Sequence, residues 1–188
     1  MDRRYGLASV EGGQHPGWGT ANRIVPLAGT YIELIAVVDV AEAAMAPFGH
    51  WITAALPGRP LGWAVRTDDL DAVATRLGLT VHPGSRVTPD GAELRWRGAG
   101  IEAAAEDPSL PFFIEWDPAT THPGASGPAG LSIAKIALRG NRDHLTTWLG
   151  PNEIPLEIAP GEPGVAGVVL RAGDRVTVLE DVLELSGP

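Results

Sequence analysis

The alternation of apolar and polar positions is strongest near the start of the chain. Residues 20–27 and 31–38 are rich in β-branched and aromatic side chains, and Ala28-Gly29 lies between them. This pattern predicts two strands joined by a tight turn. Four glycines between Gly12 and Gly19 disfavour a helix and allow positive φ, so the preceding segment is predicted to be a shaped turn.

One charged residue interrupts the apolar face of the second predicted strand. The period of two places Glu33 on the same face as Tyr31, Ile35 and Val37. A glutamate is rarely buried unless it is paired, protonated or bound to a cation. Glu33 is therefore the first candidate functional residue.

From residue 62 onward, strand patterns alternate with amphipathic helix patterns. The predicted elements are, in order, a strand over 62–67, a helix over 70–77, and three strands ending with 112–116. Asp68-Asp69 and Gly78 mark the two ends of the helix. The same order returns, in a shorter form, over 131–179, which indicates an internal repeat.

The hairpin at 20–38 corresponds to the end of an earlier copy of this repeat. The sharpest correspondence is between Tyr31-Ile32-Glu33 and Phe113-Ile114-Glu115. Counted from this match, the first copy lacks its leading strand and most of its helix. The prediction is an α+β fold of tandem βαβββ units whose sheets curl around a shared cavity.

The repeat also predicts how the chain divides. Residues 1–120 are expected to hold two paired βαβββ units, of which the first is incomplete. Residues 131–188 are expected to form a third, shorter βαβββ unit packed on the same domain. Between them, the Pro- and Gly-rich segment 117–130 is predicted to be a linker.

Composition and charge exclude several classes of protein. The chain has 188 residues, a formal net charge of −9 and no cysteine. The charge argues against a nucleic acid partner, and the missing thiols exclude disulfides and thiolate zinc sites. No run approaches the roughly 18 apolar residues of a membrane span, and the first ten residues lack the apolar core of a signal peptide. We expect a cytoplasmic protein with no membrane partner.

Several stretches resemble a known family. HPGWGTANRIVPL with YIELIAVVD, GWAVRTDDLDAVATRLG and LPFFIEWD are similar to bacterial glyoxalase-like domain proteins of the vicinal oxygen chelate superfamily. The similarity covers about residues 5–120 well and the remainder loosely. That superfamily includes isomerases, lyases, extradiol dioxygenases and metal-free binding proteins, so it predicts the fold more strongly than the activity. The family's usual first strand, Asp-His followed by apolar residues, has no counterpart in this sequence.

The resemblance implies a metal site built from two paired copies. Its ligands come from the first and last strands, and the last-strand positions here are Glu33 and Glu115. The first-strand position of the second copy falls near Gly62 and Trp63, neither of which is a ligand. Glu33 and Glu115 are thus candidate catalytic residues and candidate ligands of a divalent metal, in an incomplete set. The alternative is that each glutamate pairs with an arginine such as Arg66, Arg95 or Arg97.

Candidate substrate-binding residues cluster in and after the glycine-rich turn. Trp18 and Asn22 share a predicted strand face, and His15 lies in the turn itself. An amide and an aromatic ring suit a small polar or aromatic ligand. The alternative for His15 and Asn22 is to satisfy backbone groups of the turn. Trp63 is a further candidate for substrate contact, against the alternative of core packing.

Two functions follow from these residues and from the resemblance. The first is a metal-assisted lyase or isomerase acting on a small oxygenated molecule. The alternative is a metal-free module that binds or sequesters a small molecule. The missing first strand is expected to leave an apolar sheet edge, which predicts a homodimer or an exchange that brings a strand such as 131–138 into the gap.

Overall fold

A computed structural model describes residues 1–55 and 57–180, and the end of the predicted 131–188 unit lies outside them. The helices are α1 (Asp2–Tyr5), α2 (Val40–Ala43), α3 (Pro47–Ala54), α4 (Leu70–Leu77), α5 (Ile101–Glu106) and α6 (Arg142–Leu149), with a 3₁₀ helix at Pro123–Ser126. The strands are β1 (Val10–His15), β2 (Thr20–Leu27), β3 (Thr30–Val37), β4 (Ala64–Arg66), β5 (Val81–Val87), β6 (Glu93–Ala99), β7 (Phe112–Trp116), β8 (Leu131–Arg139), β9 (Leu156–Ala159), β10 (Gly164–Ala172) and β11 (Arg175–Glu180).

Seven of these strands form one mixed sheet with the order β3-β2-β1-β5-β6-β7-β4. Strand β4 is parallel to β7, and every other neighbouring pair is antiparallel. The halves β3-β2-β1 and β5-β6-β7-β4 meet where Gln14 of β1 pairs with Val87 of β5. The result is an α+β fold whose larger sheet curls into a half-barrel.

The predicted hairpin and the predicted helix after it are both present. Strands β2 and β3 pair from Thr20–Val37 to Leu27–Thr30. The Asp69 carboxylate accepts a 2.9 Å hydrogen bond from the Ala72 N–H at the start of α4. Gly78 ends that helix with a φ of 67°. Local turn and capping signals therefore determine these elements.

The remaining strands form a second mixed sheet with the order β11-β10-β8-β9. Strand β8 lies in its interior, parallel to β9 and antiparallel to β10. The prediction that 131–138 fills the gap beside β3 is wrong, because β8 is hydrogen-bonded on both sides within this second sheet. Among residues 1–55 and 57–180, β3 pairs with β2 alone.

The two sheets share a core that covers one face of the β2–β3 hairpin. Val25 and Leu27 of β2 pack with Leu170 and Leu179 of the second sheet, and Ile32 packs against them. Because side chains alternate along a strand, this contact turns the other set of residues on β3 toward the opposite face. We call that opposite face of the seven-stranded sheet the inner face.

The segment 117–130 is packed rather than a free linker. A Cβ on Gly124 would lie 2.3 Å from the Thr30 carbonyl oxygen, and one on Gly127 would lie 2.2 Å from that of Leu27. Only glycine allows backbones to approach so closely. The segment also places the His122 ring 5.5 Å from that of Tyr31 on β3.

No helix in the described part of the chain combines the length and the apolar character needed to cross a membrane.

Candidate active site

The short helix α2 holds the glycine-rich turn between β1 and β2 in place. The N–H groups of Gly17 and Gly19 donate to the two oxygens of the Glu42 carboxylate, at 2.7 and 3.0 Å. Both glycines have positive φ, which permits the tight reversal. The turn fixes the ends of β1 and β2 and so places their side chains on the inner face.

Four polar side chains form a continuous hydrogen-bonded chain on that face. The His15 Nδ1 lies 2.9 Å from the Thr20 hydroxyl, and the Asn22 amide nitrogen lies 3.3 Å from the His15 Nε2. The same amide nitrogen donates to Glu33 Oε1 at 2.5 Å. His15, Thr20 and Asn22 are buried, whereas the Glu33 side chain keeps 29% of its surface exposed. Glu33 is therefore the member of the chain that a ligand can reach.

Arg86 of β5 joins this chain from the other half of the sheet. Its Nη1 donates to the Asn22 amide oxygen at 3.2 Å, which fixes the orientation of the amide. The Asn22 nitrogen therefore donates to His15 Nε2, and the proton of His15 resides on Nδ1. Arg86 was not predicted from the sequence, although the signal was of the same kind as for Glu33: a charged residue within a predicted strand.

A glycine bulge makes room for the Arg86–Asn22 contact. Gly12 is the extra residue in β1 between the pairs Glu11–Arg23 and Gly13–Asn22. A Cβ on Gly12 would lie 1.9 Å from the Asn22 amide oxygen and 2.8 Å from the Arg86 Nη1. The missing side chain at this bulge thus leaves the space in which Arg86 and Asn22 meet.

The surroundings shift the protonation of three residues in the cluster. Burial raises the pKa of Glu33, while the Asn22 hydrogen bond and the Arg86 charge oppose the shift. Burial and the nearby Arg86 charge lower the pKa of His15 to about 4, so its imidazole is neutral at pH 7. Burial and the Glu33 charge raise the pKa of Tyr31, which keeps its phenol protonated.

Aromatic rings form the walls around this polar cluster. The Trp18 ring lies 5.7 Å from His15 and 5.9 Å from Trp96, and Trp96 lies 5.1 Å from Trp116. Trp116 in turn lies 6.5 Å from Tyr31. These tilted and edge-on arrangements suit packing against a small molecule that has an apolar part. The structure thus brings together His15, Trp18, Asn22 and Glu33, whose substrate and catalytic roles stay predictions.

Glu115 does not join Glu33, and the expected convergence of these two carboxylates is wrong. Glu115 pairs with Arg97, whose Nε donates to it at 3.0 Å, and Arg97 also binds Asp71 on α4. Phe113 shares the face of Glu115 and packs against Leu70 of α4. The inner-face residue of β7 is instead Trp116. Tyr31-Ile32-Glu33 and Phe113-Ile114-Glu115 therefore present opposite faces of the sheet, as an offset of one residue along a strand would produce.

Trp63 lies outside the cluster as well. Its indole N–H donates to the Ser109 carbonyl oxygen at 3.0 Å. The ring packs against Leu110 and Ile136 in the core of the second sheet. The predicted substrate contact of Trp63 is therefore replaced by core packing.

The residues present do not fit a resident divalent cation. Within the described ranges, no group of three or more His, Asp or Glu side chains could hold a metal ion. His15 and Glu33 together offer at most three donor atoms at the same place, and His15 Nε2 lies 3.7 Å from Glu33 Oε1. Hard cations take about six oxygens, and zinc takes about four ligands. The Asn22 amide hydrogens and the Arg86 charge also face this place, and both repel a cation.

A wide cleft of about 640 Å³ runs along β5, β6 and β7 and is a weaker candidate site. Its charged residues already have partners, because Arg95 pairs with Glu93 and Arg97 pairs with Glu115. In the inner-face cluster, by contrast, the Arg86 Nε is buried and has no hydrogen-bond partner within residues 1–55 and 57–180. We therefore assign the candidate active site to the cluster His15, Asn22, Glu33 and Arg86, with its aromatic walls.

Comparison with known proteins agrees with this fold. A family model described as "Glyoxalase-like domain" matches residues 1–152. The chain is also similar to a crystal structure of a hypothetical protein from Staphylococcus aureus, with a TM-score of 0.58 and 17% identity over 93% of this chain and 77% of that chain. At this identity the similarity concerns the fold alone. A search of curated proteins gives no match. With more than half of its length matched by the model, the chain belongs to the glyoxalase-like domain family.

Proposed function

We propose that the chain is an enzyme of the lyase or isomerase type that binds a small oxygenated molecule on the inner face and uses Glu33 for proton transfer. The observation that carries this proposal is the Glu33 carboxyl, which is partly exposed, hydrogen-bonded to Asn22 and enclosed by aromatic walls. A raised pKa brings a carboxyl group closer to the operating pH, where proton transfer is most effective.

The chemistry that this arrangement supports is removal of a proton from a carbon next to a carbonyl group. Glu33 would accept the proton, and the fixed Asn22 amide would hold the carboxylate in place. The positive charge of Arg86 would stabilise the enediolate-type anion that results. The residues do not fit a resident cation, so no step is assigned to a metal.

Solvent deuterium exchange tests the proposal with simple carbonyl compounds in place of the unidentified substrate. Hydroxyacetone, glycolaldehyde and pyruvate are incubated with the protein in D₂O, and loss of the C–H signal is followed by proton NMR. We expect exchange into at least one compound with the wild type and none above background with Glu33→Gln. Glu115→Gln is the matched comparison, because it removes the corresponding glutamate of the second copy on the opposite face. Exchange that survives Glu33→Gln, or that is lost in Glu115→Gln, contradicts the proposal.

A metal-free binding module is the second candidate function. The packed aromatic walls favour it, because Trp18, Trp96 and Trp116 offer binding surface without chemistry. Binding that quenches tryptophan fluorescence and persists in Glu33→Gln, together with no exchange in the wild type, would identify this function.

We also propose that the sheet is built from tandem βαβββ units, the first of which lacks its leading strand and most of its helix. The order β4-α4-β5-β6-β7, with β4 parallel to β7, supports one such unit in the range 1–120. Residues 131–180 follow the same order of elements with a different strand arrangement, in which β8 is interior. Separate expression of 1–120 and measurement of its cooperative unfolding would test this division.

A homodimer is proposed from the edge of the larger sheet. Within the described residues β3 is hydrogen-bonded on one side only, and both of its faces carry apolar side chains. Such an edge is normally covered or paired. Sedimentation equilibrium showing a monomer at all concentrations would contradict the dimer.

A further inference from the structure

We propose that the molecule bound on the inner face carries a carboxylate group, and that Arg86 binds it through the free edge of its guanidinium. This inference rests on the proposed function, because it names the class of substrate for the same site. It assigns a ligand-binding role to a residue that neither the family resemblance nor the sequence pattern singled out.

The first observation is the geometry of Arg86. The residue is only 5% exposed, and Nη1 is the guanidinium nitrogen that binds Asn22. Nε is buried and has no partner among the described residues. Nε and Nη2 lie on the same edge of a guanidinium, and that edge matches the two oxygens of a carboxylate. Asn22 therefore occupies one end of the fork and leaves the bidentate edge for another acceptor.

The second observation is that the Trp116 indole also has a buried N–H donor without a partner among the described residues. In the part of the chain that the structure describes, the buried side-chain nitrogens without a partner are Arg86 Nε and Trp116 Nε1. Both residues lie on the inner face, on strands that flank β6. A buried donor without a partner has lost its hydrogen bonds to water without replacement, so such groups are rare unless something binds them. A ligand with several hydrogen-bond acceptors could satisfy both unpaired donors.

The third observation is the balance of charge. Glu33 is the carboxylate that interacts with the Arg86 charge, and Asn22 lies between them. Asn22 separates these two side chains and His15 is neutral at pH 7, so among the described residues no carboxylate bonds directly to the Arg86 charge. An anionic ligand would compensate that charge in a setting of low polarity, where a charge-assisted bond is strong. A neutral or cationic ligand would leave the buried Arg86 Nε without a charged acceptor.

The aromatic walls restrict which carboxylates fit. The Trp18, Trp96 and Trp116 rings stand next to the polar cluster, so a carboxylate attached to a small apolar or aromatic group fills both parts of the site. A planar carboxylate matches the edge of the guanidinium. A phosphate would match it as well, and it forms a separate arm of the test.

The test compares phenylacetate with its neutral analogue phenylacetamide, using calorimetry and tryptophan fluorescence on the whole chain. The variants are Arg86→Gln, Arg86→Lys and the control Arg95→Gln, which removes an exposed arginine already paired with Glu93. We expect wild type and Arg95→Gln to bind phenylacetate at least about tenfold more tightly than phenylacetamide. Arg86→Gln should abolish this preference, and Arg86→Lys should keep part of it because the charge remains without the fork.

Several results would overturn the inference. Equal affinity of the wild type for phenylacetate and phenylacetamide, or no binding of phenylacetate at millimolar concentration, would do so. A phenylacetate preference that survives Arg86→Gln would do so as well, as would phenyl phosphate binding more tightly than phenylacetate through Arg86. If Arg86→Gln does not fold, two results decide the outcome. They are the preference of the wild type for phenylacetate over phenylacetamide and the partial loss of that preference in Arg86→Lys.

Two results separate the anion site at Arg86 from the proton transfer by Glu33. Deuterium exchange into the neutral compound hydroxyacetone, lost in Glu33→Gln but without any carboxylate preference, would uphold the enzyme and reject the anion site. Arg86-dependent binding of phenylacetate without exchange into any compound would uphold the anion site and reject the enzyme.

Discussion

Replacing Gly12 by alanine perturbs the polar cluster at its tightest point. The new Cβ would lie 1.9 Å from the Asn22 amide oxygen, whereas ordinary contact begins at 3.4 Å. The Asn22 side chain must therefore move by about 1.5 Å, a distance that exceeds what its hydrogen bonds tolerate. We expect the movement to break the bonds from Arg86 to Asn22 and from Asn22 to Glu33.

The size of the effect follows from the groups that are left without partners. Each buried polar group that loses its hydrogen bond costs about 1–3 kcal/mol. Because Arg86 and Glu33 are both affected, we expect Gly12→Ala to lower the free energy of unfolding by about 2–6 kcal/mol. The same change should abolish the Arg86-dependent preference for phenylacetate.

Urea unfolding at pH 7, followed by tryptophan fluorescence, measures this loss. Gly164→Ala is the matched control, because Gly164 also lies in a strand and has no positive φ. No atom of the described residues lies within 4 Å of the position that a Cβ on Gly164 would take. We expect the control to change stability by less than about 1 kcal/mol, in either direction. If both variants unfold at the same urea concentration, the missing side chain of Gly12 is not what makes room for the Arg86–Asn22 contact.

Three further predictions concern single side chains. Burial raises the pKa of Glu33 in the folded state, so the contribution of this group to stability is complete below the pKa of the unfolded state and is lost as the pH rises through the folded pKa. Glu33→Gln should therefore gain stability relative to the wild type in urea titrations from pH 4.5 to 8. A constant difference between the two proteins would contradict this. Burial lowers the pKa of His15 in the folded protein from 6.5 to about 4. Between pH 6.5 and 4 the free energy of unfolding should therefore fall by about 3 kcal/mol more in the wild type than in His15→Gln. Parallel pH profiles of the two proteins would refute this prediction. Glu115→Gln should lower the free energy of unfolding by less than about 1 kcal/mol, because the side chain of its partner Arg97 is 44% exposed; a larger loss would show that the pair is more than a surface contact.

Local signals in the sequence were sufficient for the hairpin and for α4. The turn at Ala28-Gly29, the cap at Asp69 and the positive φ of Gly78 each depend on residues only a few positions apart. The face on which Glu33 lies also follows from the sequence, because the period of two in β3 is clear. These features do not depend on distant contacts.

The glycine-rich segment shows where local reasoning fails. Gly12 and Gly13 were predicted to form a turn, but they belong to strand β1. Their missing side chains make space for Asn22, for Arg86 and for the backbone of Val87. Arg86 is 64 positions from Asn22, and their contact depends on the pairing of β1 with β5. No short-range pattern encodes that pairing.

Glu115 illustrates a different error. The match between Tyr31-Ile32-Glu33 and Phe113-Ile114-Glu115 is correct as a sequence similarity, yet the two strands present opposite faces at these positions. A register difference of one residue is invisible in composition and reverses the side of the sheet. The packing of Phe113 on α4 decides the face, and that packing is a tertiary contact.

We propose that Glu33, held by Asn22 and Arg86, is the functional carboxylate of the inner face. Carbon-13 NMR of the glutamate side-chain carboxyl groups tests this claim directly, with the Glu33 signal assigned by its absence from Glu33→Gln. We predict that Glu33 titrates above the ordinary range of glutamate and that phenylacetate shifts its signal while leaving Glu115 unchanged. An ordinary pKa for Glu33, or a ligand-induced shift at Glu115 and not at Glu33, would contradict the account.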